Sequence, residues 1–337
     1  VIKGLGPRYC PSIESKFVRF ADKDRHQIFL EPETLDDNTI YIQGMSTSMP
    51  MDIQHKMVES IEGMEHTKIL KYAYAIEYDC IDPLNLFPTL EFKKVKGIFC
   101  AGQINGTSGY EEAAGQGILA GINASLYLRG KEQIILKRDE SYIGVLVDDL
   151  TTKGTNEPYR MMTSRAEYRL ILRQDNADQR LTEIGRKVGL VDDERYKRYQ
   201  KKMQKINKLK LELKKMIQPS SELKNYLESI GEKNAEYGLS IENLLKRPAV
   251  NFADANKKLK LVKGYSREVL NEVEIETKYS GYISRQQDQI LAERKLEERQ
   301  IPADMDYSKL EGLRLEAREK LSQIRPLTIG MASRISG

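Results

Sequence analysis

The stretch from Val95 to Leu128 constrains the fold more than any other part of the sequence. A short apolar run over residues 95–101 predicts a strand, a glycine-rich turn follows, and residues 111–128 predict a helix with many small side chains. Glycines in such a turn let a ligand approach the backbone, and the next helix offers free N–H groups. A tight strand–helix contact in any α/β fold explains the same residues equally well. The spacing is not the GxGxxG fingerprint, and no ribose-binding acid follows at the usual distance.

Charge and glycine content divide the chain into two unlike parts. Residues 191–337 contain 30 Lys and Arg against 23 Asp and Glu, whereas residues 1–190 contain 24 against 27. Of the 23 glycines, 16 lie before residue 191. We therefore predict an α/β part followed by a basic, all-α part whose partner is a polyanion. On charge alone, a solvated helical domain with lysine-rich faces is an equally good interpretation.

A basic helix is predicted near the start of the second part. Ten Lys and Arg stand against two acids between Glu194 and Met216, and apolar residues recur at helical spacing. Phosphate binding is at least as good an interpretation as a solvated face, and Lys201, Lys205 and Lys208 are the candidate contacts. A membrane-surface helix is disfavoured because the apolar face carries no Trp or Phe.

A later stretch, residues 274–288, mixes aromatic, amide and basic side chains. Tyr279 and Tyr282 have the chemistry to stack on bases, and Arg285 has the chemistry to hold phosphate. The same residues are equally suited to packing a helical core or a protein partner.

Cysteine usage predicts a reducing environment and one candidate nucleophile. Cys10, Cys80 and Cys100 lie far apart without a CxxC pair, which argues against a disulfide framework and favours the cytoplasm. Arg8 favours the thiolate form of Cys10, although a buried, inert thiol is the usual fate of a lone cysteine. The histidines form no metal-binding pattern, so we predict no metal site.

The ends and the hydropathy of the chain give three further expectations. No stretch approaches the roughly 18 consecutive apolar residues of a membrane span. The first residues lack the apolar core and cleavage site of a signal peptide. The first residue is Val rather than Met, so we expect a part of a longer protein.

Two stretches of sequence resemble one known family. Residues 6–20 read GPRYCPSIESKFVRF, and residues 101–124 read AGQINGTSGYEEAAGQGILAGINA. Both are similar to signatures of the MnmG/GidA family, the FAD-binding subunits of the tRNA uridine 5-carboxymethylaminomethyl modification enzyme. Further similar segments are residues 144–150, 157–161, 163–170, 175–178 and 279–288.

The resemblance implies a fold and a division into domains. The fold is the end part of a two-dinucleotide-binding, glutathione-reductase-like FAD domain plus a helical C-terminal domain. Residues 1–130 then close the FAD/NAD-binding domain, residues 131–190 form a mixed α/β connection, and residues 191–337 form the basic helical domain that binds tRNA and a protein partner. Because no GxGxxG follows a first strand here, we expect these residues alone to hold little FAD.

The resemblance also implies an activity. Members add a carboxymethylaminomethyl or aminomethyl group to C5 of the wobble uridine of tRNA, as homodimers joined to the GTPase MnmE in a heterotetramer. FAD and NADH are the cofactors, and methylenetetrahydrofolate is the one-carbon donor. By resemblance, Gly102, Gln103 and Asn105 contact FAD. The segment assigned to the nicotinamide dinucleotide comprises Gly6, Pro7, Arg8, Tyr9, Cys10, Pro11, Ser12, Ile13, Glu14, Ser15, Lys16, Phe17, Val18, Arg19 and Phe20.

Two other functions remain open at this point. One is a docking fragment for RNA or the GTPase, without catalysis of its own. The other is the folate- and FAD-dependent tRNA uracil methyltransferase, although those chains lack the long basic helical extension seen here.

Overall fold

Short helices and turns give way to a series of helices after about residue 177. The computed structural model describes residues 11–74 and 79–335, which form two compact units. The first unit comprises Val1–Tyr127 and Asp149–Met161, and the second comprises Leu128–Asp148 and Met162–Gly337. The predicted change from a mixed first part to a helical second part is confirmed at this level, and the described sheets have only two strands each.

The first unit is built on short elements around one long helix. Strands β1 and β2 form an antiparallel hairpin with Phe29 opposite Gln43 and Pro32 opposite Ile40. Fully buried leucines at 86, 90, 119 and 150 form its core. The elements are α1 (Ile13–Arg19), β1 (Phe29–Pro32), β2 (Ile40–Gln43), α2 (Met51–Glu59), 3₁₀ turns at Pro83–Asn85 and Gly102–Asn105, α3 (Tyr110–Leu128) and a π-helical turn at Asp149–Lys153.

The helix predicted over residues 111–128 is confirmed as α3, but the strand predicted over residues 95–101 is wrong. Only Phe99 makes a β-bridge there, to Glu91. Gly97 has φ +78°, and its N–H donates to the Glu91 carboxylate at 2.8 Å. The chain therefore turns where a strand would continue, because a left-handed residue cannot extend a strand.

Two other predictions for this unit are only partly correct. Ile53, Met57, Ile61 and Met64 recur at helical spacing and predict a helix over residues 51–64, but the helix ends at Glu59 and Gly63 follows with φ +86°. Partial alternation over residues 68–78 predicts a strand, but residues 68–74 contain none, and residues 75–78 lie outside the described residues. The Gln54 side chain makes hydrogen bonds to both the N–H and the C=O of Ala73 at 2.9 Å, which replaces the pairing that a neighbouring strand would supply.

The second unit is helical, and six of its helices begin after a residue whose side chain caps them. Asp192, Ser220, Ser240, Asn251, Ser266 and Thr328 each accept a backbone N–H from the first turn of the helix that they precede. Strands β3 (Met216–Ile217) and β4 (Leu239–Ser240) pair antiparallel. The helices are α4 (Tyr142–Asp148), α5 (Ala177–Lys187), α6 (Asp193–Glu212), α7 (Ser221–Ser229), α8 (Ile241–Leu245), α9 (Phe252–Leu259), α10 (Arg267–Lys278), α11 (Ser280–Glu297), α12 (Leu315–Ile324) and α13 (Ile329–Ser333).

Helices α6 to α10 share one apolar core. Ile206 and Leu209 of α6 are fully buried against Leu227, Leu244 and Phe252. This confirms the predicted packed face of the basic helix, because the periodic apolar residues point inward. No helix within residues 11–74 and 79–335 combines the length and the apolar character needed to cross a bilayer.

Candidate functional site

The glycine turn, residues 102–109, begins with the 3₁₀ turn at Gly102–Asn105 and leads into α3. Gly102 and Gly106 adopt φ +83° and +80°, a region that glycine enters at little cost. A Cβ on Gly106 would lie 3.0 Å from Cγ2 of Thr155, and one on Gly102 would lie 3.3 Å from Cβ of Ala113. Both glycines are therefore required by backbone conformation and by close packing.

A fully buried amide network lies beneath the glycine turn. Nδ2 of Asn105 donates to the Cys100 carbonyl at 2.9 Å and to Oε1 of Gln116 at 2.8 Å. Nε2 of Gln116 in turn donates to Oγ1 of Thr107 at 3.0 Å. Within the described residues Oδ1 of Asn105 is buried without a hydrogen-bond partner, so one strong acceptor remains available there. Asn105 thus has a structural role, which the sequence did not reveal.

Residues 157–161 join the glycine turn from a distant part of the sequence. The Tyr159 N–H donates to the Gly106 carbonyl at 2.8 Å, and the Ser108 N–H donates to the Tyr159 carbonyl at 3.1 Å. The Tyr159 hydroxyl donates to Oδ2 of Asp149 at 2.8 Å. These segments each carried part of the family resemblance, which was the only sequence signal that linked them.

Charges are concentrated at the first turn of α3. The buried Glu112 carboxylate accepts the Met161 N–H at 2.7 Å and lies 3.3 Å from the Arg160 guanidinium. Arg160 also pairs with the exposed Glu111 at 3.1 Å. Two carboxylates therefore occupy the positive end of the helix against one guanidinium, which disfavours a phosphate at this helix end. Gln103, nearby in the turn, is exposed.

The segment assigned by resemblance to the nicotinamide dinucleotide is described only from Pro11 onward. Gly6, Pro7, Arg8, Tyr9 and Cys10 lie outside the described residues. The Glu14 carboxylate of α1 accepts the Ser48 N–H at 3.0 Å and the Thr47 hydroxyl. Burial works to raise the pKa of Glu14, but these hydrogen bonds outweigh it and hold the pKa below the usual value. The Glu14 carboxylate therefore links α1 to the loop that contains Thr47 and Ser48.

Most basic residues of α6, together with Lys215 just after it, fall into two groups. Lys202, Lys210 and Lys215 form ion pairs with carboxylates of the same unit, and so serve the fold. The remaining group, the α6 stripe, has exposed side chains with no ion pair or hydrogen bond in the described part of the chain. Its members fall within an arc of about 100° and span about 16 Å. They are Lys197, Arg198, Lys201, Lys205 and Lys208.

Lys202 is the centre of a buried charge cluster between α5, α6 and α10. Its ammonium lies 2.7 Å from Asp178, 2.8 Å from Glu268 and 3.2 Å from Glu272. Burial works to lower the pKa of Lys202, but the three carboxylates outweigh it and raise the pKa. Burial raises the pKa of Glu272, which is 1% exposed, against the opposing effect of Lys202. Lys201 and Lys202 are adjacent in the sequence, yet Lys201 is exposed whereas Lys202 neutralises buried carboxylates.

Arg285 lies on α11, one turn after Tyr282 and two turns after Tyr279. The two tyrosines are 61% and 45% exposed, and Arg285 is exposed. Their aromatic faces are therefore accessible in the described unit, which agrees better with partner binding than with packing of a helical core.

A second cluster of charged side chains joins the residues around α4 to α11 and to Arg334 after α13. Arg138 donates to Asp148 at 2.9 Å and to Glu167 at 2.6 Å. Arg334 also donates to Asp148, at 2.8 Å, and pairs with Glu297 of α11. Glu167 lies in a segment that resembles the family, and through it Arg138 links Asp148, the last residue of α4, to the segment that follows the 3₁₀ turn at Thr163–Arg165.

Three family models match the chain. Residues 1–132 match "Glucose inhibited division protein A". Residues 193–287 match the "tRNA modifying enzyme MnmG/GidA C-terminal helical domain", and residues 289–337 match its "C-terminal helical bundle".

Individual relatives match over the whole chain. The tRNA uridine 5-carboxymethylaminomethyl modification enzyme MnmG of Caldicellulosiruptor saccharolyticus is 56% identical over 338 residues, and that of Bacillus subtilis is 52% identical. This chain is covered completely but spans only 54% of each relative. The structure of Aquifex aeolicus GidA in its form II crystal aligns with a TM-score of 0.83 and 49% identity, over 98% of this chain and 53% of that one.

Replacing Lys202 with Met is expected to destabilise the second unit strongly, whereas Lys201→Met is expected to change little. Loss of Lys202 leaves Glu272 as a buried, unpaired carboxylate, which costs about 3–5 kcal/mol. The raised pKa of Glu272 means that its neutral form suits the fold, so the deficit is expected to be largest at pH 7 and to shrink as the pH falls toward 4.5. Urea unfolding followed by circular dichroism measures both effects. Equal unfolding free energies for the two variants would contradict the assigned cluster.

Proposed function

The chain belongs to the MnmG/GidA family, and from this premise we propose that it is the C-terminal part of a tRNA wobble-uridine modification enzyme. The observation that carries the proposal is 56% identity to MnmG over the entire chain. The whole enzyme would add a carboxymethylaminomethyl or aminomethyl group to C5 of the wobble uridine. Because the chain spans about half the length of its relatives, this activity belongs to the full-length protein.

FAD fits the residues around the glycine turn. Gln103 is exposed, Gly102 brings the backbone close to α3, and buried Asn105 retains one acceptor without a partner. The two carboxylates at the start of α3 favour a neutral part of the cofactor over its pyrophosphate. We therefore assign Gly102, Gln103 and Asn105 to the flavin or ribityl part. A bound flavin would supply hydride transfer with NADH as reductant.

Residues 6–20 are the proposed nicotinamide dinucleotide segment, and they include Cys10. Uridine C5 is a poor nucleophile until the ring is activated, and addition of a thiolate at C6 is one way to activate it. Cys10, next to Arg8 in the sequence, is the best candidate for this step. Methylenetetrahydrofolate is the proposed donor of the carbon unit.

The helical part is the proposed docking region for macromolecules. The α6 stripe offers five exposed cations that form no ion pair within the described residues, and Tyr279, Tyr282 and Arg285 offer stacking and phosphate contacts. We assign Lys201, Lys205, Lys208 and Arg285 to tRNA. The proposed assembly is a homodimer with the GTPase MnmE in a cytoplasmic heterotetramer.

The match of residues 193–337 to helical C-terminal models favours this function over the tRNA uracil methyltransferase. The proposed domains remain residues 1–130, 131–190 and 191–337. A docking role without catalysis would describe these residues only if they were separated from the rest of the enzyme.

Changing Lys201, Lys205 and Lys208 to Glu is expected to weaken tRNA binding and to flatten its salt dependence. Each lost phosphate contact lowers the slope of log K against log salt by about 0.7–0.9, so the slope is expected to fall by about 2–3. Filter binding with the full-length protein at several salt concentrations measures the slope. The matched control changes Lys257, Lys260 and Lys263, which are exposed but lie outside α6. An unchanged slope in a folded triple variant would leave the stripe as a solvated face.

Cys10→Ser is expected to lower modification by orders of magnitude while the melting temperature and tRNA affinity are retained. The substitution preserves size, but a hydroxyl ionises far less readily than a thiol. The assay uses the full-length protein with its GTPase partner and measures modified wobble uridine by mass spectrometry. Cys80→Ser serves as the control, since Cys80 is an exposed cysteine far from Cys10 in the sequence. Near-normal modification by the Cys10 variant would exclude a nucleophilic role for this residue.

A further inference from the structure

The loop that follows strand β2, residues 44–50, is attached to helix α1 by hydrogen bonds. The Ile13 N–H donates to the Ser46 carbonyl at 2.7 Å. The Lys16 ammonium donates to the Gly44 carbonyl at 3.1 Å. Backbone and side chain of α1 are thus both attached to this loop, although the two segments are about 30 residues apart in sequence.

Thr47 is the central residue of the attachment. Its side chain is almost completely buried, its hydroxyl donates to Oε1 of Glu14, and its oxygen accepts the Met49 N–H at 3.1 Å. The Ser48 N–H donates to the same Oε1 at 3.0 Å. Two donors of the loop therefore fix one carboxylate oxygen, and Oε2 of Glu14 is buried as well. Glu14 consequently faces the loop and is occupied by it.

We propose that Thr47 is a positioning residue of the nicotinamide dinucleotide site. The proposal rests on the proposed function, in which residues 6–20 bind the dinucleotide. Thr47 fixes the first turn of α1 through Glu14, and this turn carries Ser12 and Ser15, whose hydroxyls lie 3.2 Å apart. Loop 44–50 is then a second part of the site. It orients helix α1 and does not itself touch the dinucleotide.

The arrangement assigns Glu14 a different role from a ribose-binding acid. A carboxylate that binds ribose hydroxyls usually offers both oxygens, whereas Oε1 of Glu14 already accepts two hydrogen bonds from the loop, and only the buried Oε2 is left without a partner in the described residues. The hydrogen bonds also keep Glu14 ionised, because they outweigh the effect of burial on its pKa. Loss of the Thr47 hydroxyl would leave a partly buried carboxylate one donor short, and α1 would lose its fixed orientation.

The test uses three variants of the full-length, FAD-containing protein. Thr47→Val removes the hydroxyl and keeps the shape, Thr47→Ser keeps the hydroxyl, and Thr34→Val removes an exposed hydroxyl of the neighbouring hairpin that does not contact Glu14. Equilibrium binding of NADH and the steady-state dependence on NADH are measured for each. For Thr47→Val we expect Kd and KM to rise about tenfold and kcat to stay within about twofold, since a lost hydrogen bond to a charged group has that magnitude. Thr47→Ser and Thr34→Val are expected to behave like wild type.

Each result supports or overturns the inference. Wild-type affinity in Thr47→Val, or equal losses in Thr34→Val, would overturn it. A Thr47→Ser variant as weak as Thr47→Val would also overturn it, because the hydroxyl would then not be the cause. If Thr47→Val does not fold, Glu14→Gln replaces it and is expected to raise Kd in the same direction, and unchanged affinity would count against the proposal. Failure of wild type to bind NADH would defeat the function assigned to residues 6–20, whereas normal binding by both wild type and Thr47→Val defeats only the role of Thr47.

Discussion

Hydrogen bonds between residues 106–112 and residues 159–161 hold the candidate cofactor site together. They include two backbone bonds between Tyr159 and the glycine turn, one from the Met161 N–H to the buried Glu112 carboxylate, and one from Arg160 to Glu111. Gly106 makes these bonds in a left-handed conformation, and a Cβ on Gly109 would displace the Arg160 guanidinium and the Glu112 carboxylate from their present positions. Asn105 lies directly before Gly106, and its buried side chain is held by the Cys100 carbonyl and Gln116.

The second unit combines buried carboxylates with an exposed cationic surface. Glu272 is almost completely buried, and Lys202 lies 3.2 Å from it. Asp148 is held by both Arg138 and Arg334. Because these buried carboxylates pair with other cations, the lysines and the arginine of the α6 stripe stay exposed and form no ion pair in the described part of the chain. A basic surface of this kind attracts a phosphate backbone over long range, and the contacts do not depend on sequence.

Local patterns in the sequence predicted the helices well and the distant contacts poorly. Helix α3 follows from the glycine turn and the small side chains after it, and α6 from apolar periodicity, which are properties of a few consecutive residues. The strand predicted at residues 95–101 failed because Gly97 turns the chain, and its apolar run looks the same in either conformation. The division of α6 into Lys202 and the stripe depends on α5 and α10. The roles of Glu112, Tyr159 and Thr47 likewise depend on contacts made across many residues, and no local pattern encodes them.

We propose that this chain supplies the C-terminal part of a wobble-uridine modification enzyme. The most direct measurement exchanges it for the matching part of Bacillus subtilis MnmG, to which it is 52% identical, and combines the purified chimera with the GTPase partner of that enzyme. Mass spectrometry of digested tRNA then reports the modified nucleoside. We expect the chimera to restore carboxymethylaminomethyl or aminomethyl groups on the wobble uridine. A folded, flavin-containing chimera that binds tRNA but leaves the wobble uridine unmodified would contradict the claim.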